Sequence, residues 1–106
     1  MKQLQIIPQE GSNLYGAMVS KEIALSKANK GTFYRSGAKQ RDRAKWAHKQ
    51  YNGWVNLARG MGGLVLAEVR TKAGADQEWL LLHAFLGFLD RHFREQLLAV
   101  NIQFHE

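Results

Sequence analysis

The sequence predicts an α+β domain in which an antiparallel sheet carries its helices on one face. Three observations point there. Leu82, Phe85, Leu86, Leu89 and Phe93 recur at steps of three and four, the spacing of one helix face. The tail that follows switches to a period of two, with Leu98, Val100, Ile102 and Phe104 alternating with Ala99, Asn101 and Gln103. The start of the chain repeats that alternation, Leu4 and Ile6 against Gln3 and Gln5. A mostly buried helix with two half-buried strands needs a sheet to cover it.

Taken in order, the first strand ends at Pro8, which has no amide to donate to a ladder. Gly11-Ser12-Asn13 is a turn, and Ser12 or Asn13 can cap a helix over Leu14 to Ala28 that stops at Asn29–Gly31. Thr32–Arg35 reads as a brief strand and Ser36–Arg43 as an exposed basic loop. Ala44 to Tyr51 suits a helix by composition. Asn52-Gly53 instead favours a hairpin turn between Trp46–Tyr51 and Trp54–Arg59, and the hairpin is preferred. Gly60-Met61-Gly62-Gly63 is the reversal before an apolar strand, Leu64–Thr71. Asp76 is placed as the N-cap of the long helix, with Gln77 and Glu78 in its first turn and Trp79 to Phe93 as its buried body. Without the basic block the order is strand, helix, strand, strand, helix, strand, that of a ferredoxin-like split βαβ fold with a basic insertion. A longer antiparallel meander around the last helix is the alternative. In the first arrangement Gln3, Gln5, Asn101 and Gln103 share the uncovered face of the sheet.

At 106 residues this is one domain, long enough to bury a core without staples. The chain has no cysteine, which excludes disulfides and thiolate metal sites and fits a reducing compartment. The first residues lack an apolar run of signal-peptide length, and no stretch has the length and apolarity of a membrane span, so the expected setting is the cytoplasm, with no membrane partner.

The formal charge of +6 is unevenly spread. Residues 21–59 hold ten Lys or Arg against Glu22 and Asp42, a net +8, whereas residues 60–106 hold four against six. Within the basic block aromatic rings interleave with the cations, including Phe33, Tyr34, Trp46, Tyr51 and Trp54. Lys and Arg neutralise phosphates, and flat rings stack on unpaired bases. The residues expected to contact nucleic acid, or an acidic protein, are Lys30, Tyr34, Arg35, Lys39, Arg41, Arg43, Lys45, Trp46, Lys49 and Arg59. The competing reading makes the block a solvated loop and its rings core residues of strands.

RNA-recognition modules share the strand–helix order but place aromatics on their first and third strands. The corresponding segments here, Leu4–Ile7 and Leu64–Val69, have none, and the chain is not assigned to them. Ser36-Gly37 lacks the P-loop spacing, and Gly60–Gly63 lacks the dinucleotide pattern. His83 and His92 stand about 180° apart on one helix and do not converge on a metal, so no cofactor or metal is expected. His83 is expected to be a buried polar group, and His92 a surface residue. Glu68 is singled out because it interrupts an apolar strand, opposite Arg70 on the same face. The leading expectation is therefore a non-enzymatic binding protein. The alternatives are a protein-interaction module or homodimer, and a metal-independent RNase using His48.

Overall fold

The computed structural model describes every residue except Lys39 and Glu106. The elements in order are β1 (Lys2–Pro8), α1 (Leu14–Lys27), β2 (Phe33–Arg35), β3 (Arg43–His48), β4 (Trp54–Arg59), β5 (Val65–Arg70), α2 (Ala75–Phe93) and β6 (Leu97–Phe104). The six strands form one antiparallel sheet in the order β2-β3-β4-β5-β1-β6. The predicted α+β class is what the chain adopts. The basic block does not hang outside the sheet. It builds β2 and β3, which extend the sheet beyond β4.

Alternation along the strands decides which face is covered. Leu4, Ile6, Trp46, Val55, Leu57, Val65, Ala67 and Val69 point to one side and are buried. They meet Leu14, Tyr15 and Met18 of α1 and Leu81, Leu82, Phe85, Phe88, Leu89 and Phe93 of α2 in a single core. Phe33, Trp46, Phe85 and Phe88 interlock at centroid distances of 5.3 to 6.4 Å, mostly edge to face. Each such pair adds about 0.5–1.5 kcal/mol to the area it buries, so this cluster fastens the added strands to α2.

Helix α1 starts where the sequence places it. The Asn13 side chain accepts the Gly16 amide at 3.2 Å, and the helix ends before Asn29, whose φ is 58°. Helix α2 begins two residues earlier than expected, at Ala75, with Gly74 as its N-cap and no side-chain cap. Asp76 is thus a first-turn residue placed favourably for the helix dipole, not the cap. Glu78 does more than suit that turn. It is buried, with the Lys2 ammonium on one oxygen and the N-terminal ammonium 3.1 Å from the other. Burial raises its carboxyl pKa, but the hydrogen bonds and charges of the two ammonium groups outweigh that and leave it below its ordinary value.

The turn between β3 and β4 also departs from expectation. It spans Lys49 to Gly53 instead of the two residues Asn52-Gly53, because His48 organises it. His48 Nδ1 accepts the amides of Gln50 at 3.0 Å and Tyr51 at 3.3 Å, and its ring stacks on Tyr51. Gly53 closes the turn at φ 122°, with the Arg70 carbonyl so near that a Cβ would collide with it.

Five side chains lie otherwise than the sequence predicts. Trp79, Leu80 and His83 lie exposed: Leu80 and His83 fall on the side of α2 turned away from the sheet, and Trp79 lies at its margin beside Phe104 and Lys2. His92 is half-buried, its ring 4.9 Å from that of Phe88. Leu98 is exposed because the pairing of β6 with β1 shifts register between Ile7 and Pro8, leaving Leu98 as the extra residue.

Candidate nucleic-acid interface

The second face of the sheet carries no helix. Its side chains are set by register, and three rows cross it. Gln103, Gln3, Glu68, Asn56 and Lys45 stand side by side from β6 to β3. Asn101, Gln5, Leu66, Ala58 and Arg43 form the next row. Arg70, Trp54, Ala47 and Tyr34 form the third, from β5 to β2. The first two rows floor a groove of about 690 Å³, and Ser36, Gly37, Ala38 and Gln40 bound its β3 side. The Ser36 amide donates to the Lys45 carbonyl at 2.7 Å, which holds that border against the sheet. The size is that of a small-ligand site, but it is open, and the amides of Gln3, Gln5, Asn56 and Gln103 line it together with apolar residues such as Ala58 and Leu66.

The electrostatics favour anions at the β3 end. Glu68 is occupied by Arg70, whose guanidinium reaches one carboxylate oxygen at 2.9 and 3.3 Å. Among the described residues no carboxylate lies within 4 Å of the Arg43 or Lys45 cation. Lys45 Nζ sits 4.9 Å from the Trp54 ring, an exposed cation–π contact.

The ten residues expected to contact a polyanion do not form one patch. Tyr34, Arg43 and Lys45 share the uncovered face, and Arg41 lies exposed in the β2–β3 connection. Arg35 belongs to the helix side of β2, where it lines a small cleft with Val19, Glu22 and Ile23. Lys30 and Lys49 lie at the far end of the β2–β3 pair, where the Lys49 amide donates to the Thr32 carbonyl. Lys39 lies outside the described residues. One expectation is corrected: Trp46 is 1% exposed in the aromatic cluster and has no face left to stack on a base. Arg59 is exposed, and its guanidinium covers the Tyr15 ring, donates to Asn13 Oδ1 at 3.0 Å and pairs with Asp42 at 3.3 Å.

His48, the residue of the RNase alternative, shapes the β3–β4 turn. It is buried, and Nδ1 is saturated by two amides of its own turn. Burial lowers its pKa, which keeps the ring neutral and able to accept. Among the described residues no group of three His, Asp or Glu is arranged to hold a metal, and no helix is long and apolar enough to cross a membrane.

Sequence reasoning did not single out Asn56 or Trp54 as site residues. The amides of the two terminal strands were legible as a shared face. That β4 would continue their row was not, because nothing in the alternation of one strand says which strand lies beside it. No protein-family model matches the chain, and no curated protein or solved structure is significantly similar to it.

Proposed function

We propose that the protein binds single-stranded nucleic acid across the uncovered face of its sheet. The observation that carries this reading is the gathering of Tyr34, Trp54, Arg43 and Lys45 on one uncovered face beside an amide-lined groove. Arg43 and Lys45 meet phosphates, and Tyr34, 42% exposed, offers a ring for an unstacked base. Gln3, Gln5, Asn56 and Gln103 supply donors and acceptors for base edges. A duplex does not suit this surface. The major groove of B-DNA is about 12 Å wide and admits a helix or two strands, whereas this platform is six strands broad.

The test is fluorescence anisotropy with labelled single- and double-stranded oligonucleotides at low salt. Single strands are expected to bind more tightly, and Lys45→Glu and Tyr34→Ala each to weaken them with unchanged circular dichroism. Equal binding to duplex, no binding, or indifference to both substitutions would remove the reading.

A further inference from the structure

The two edges of the sheet are unequal. At one end β2 is only three residues long and ends in Arg35, the kind of short, charged edge that discourages pairing. At the other end β6 runs for eight residues, Leu97 to Phe104, with no charge and no proline. Its outer main chain is unpaired. Met1 and His105 exchange both of their hydrogen bonds, at 2.9 and 3.0 Å. In an antiparallel ladder this alternation turns Asn101 and Gln103 towards β1, and turns the amides and carbonyls of Val100, Ile102 and Phe104 outwards. Leu98 and Phe104 are also 65% and 58% exposed, and Trp79 lies 5.5 Å from Phe104.

We infer that β6 pairs with β6 of a second copy of this chain, antiparallel about a two-fold axis at Asn101. Three facts select a second copy and this register. Two copies related by an axis perpendicular to the sheet keep their helices on the same side only if even-numbered positions meet even-numbered ones. Those are the positions whose amides point outwards. Among such registers, the one centred on Asn101 sets Val100 against Ile102 of the second copy. It also carries exposed Phe104 to the end of the second copy's strand, where the bulge leaves Leu98 exposed. Charge agrees as well: residues 60–106, which include β6, carry a net −2, while the +8 block lies at the opposite end of the sheet. Pairing through β6 therefore holds the two basic ends as far apart as the sheet allows. The result is one twelve-stranded sheet with both grooves on the same side. The inference does not depend on what the groove binds.

Sedimentation equilibrium without nucleic acid tests it. Wild-type protein is expected to have the mass of two chains at micromolar concentration. Leu98→Lys and Phe104→Glu, each at an exposed position, are expected to give monomers with unchanged circular dichroism. A wild-type monomer at micromolar concentration, or a dimer indifferent to both substitutions, overturns the inference.

Discussion

Replacing Arg43 and Lys45 together by Gln is expected to change how binding responds to salt more than how the protein folds. Two cations border the groove at its β3 end, Arg43 and Lys45. Each phosphate neutralised on a single strand contributes about −0.7 to the slope of log K against log salt. Two contacts give a slope of about −1.4, so wild-type affinity falls about sevenfold between 50 and 200 mM salt. Removing both takes away the groove's share of that slope and leaves affinity nearly flat over the same range. Stability is expected to change by less than about 1 kcal/mol, since neither residue pairs with a described carboxylate and only the exposed Lys45–Trp54 contact is lost. The assay is anisotropy titration of one labelled oligonucleotide at four or more salt concentrations. Lys30→Gln with Lys49→Gln is the control, removing equal charge from the far end of the β2–β3 pair. If the control lowers the slope as much as the Arg43 and Lys45 pair does, the groove has no special part in binding and the reasoning fails.

Three further outcomes concern stability. His48 has a folded pKa below its ordinary 6.5, so the unfolded chain binds the extra proton first. Stability is complete above about pH 6.5 and declines as pH drops below it towards the folded value. His92 acts in the same direction, lowered by burial and then by Lys21 and Arg91. Urea unfolding at pH 7.5 and 5.5 should show this loss, and His48→Gln should remove part of it. Glu78, lowered from 4.5, adds a separate loss only as pH falls below that value. Lys2→Met strands a buried carboxylate and is expected to cost about 3–5 kcal/mol, nearer the lower figure because the N-terminal ammonium still faces Glu78. Adding Glu78→Leu should recover most of that loss, and a cycle with no coupling would refute the pairing. Gly53→Ala forces a Cβ to within 2.3 Å of the Arg70 carbonyl oxygen at φ 122°, and should lower the urea midpoint by more than about 1 kcal/mol of stability. An unchanged midpoint would contradict the packing of that turn.

Local alternation and capping carried much of the fold. The amides at Gln3, Gln5, Asn101 and Gln103 declared a common polar face, and register places Gln3 beside Gln103 and Gln5 beside Asn101. Asn13 declared the start of α1 through a side chain that can satisfy an orphan amide, and it does so. Glu68 and Arg70 share a face at the spacing the strand period requires.

The basic block shows where such reading stops. Lys and Arg reveal a charged segment, and Tyr34, Trp46 and Trp54 reveal rings. Whether a given ring meets a base or the core depends on which side of which neighbour its strand presents, and a one-residue change of parity reverses the answer. Trp46 and Lys45 are adjacent in sequence and on opposite faces; one anchors α2, the other lies over Trp54. Arg59 could not be told from Arg43 by composition, since only packing brings it onto Tyr15 and Asn13. By itself the chain determined its α+β class, its element order and the apolar face of its long helix, because these follow from periodicity and local hydrogen bonding. The tertiary structure alone decided that the basic block joins the sheet, which of its cations share a surface, and that β6 is left as an open edge. Those facts rest on contacts between residues far apart in the chain.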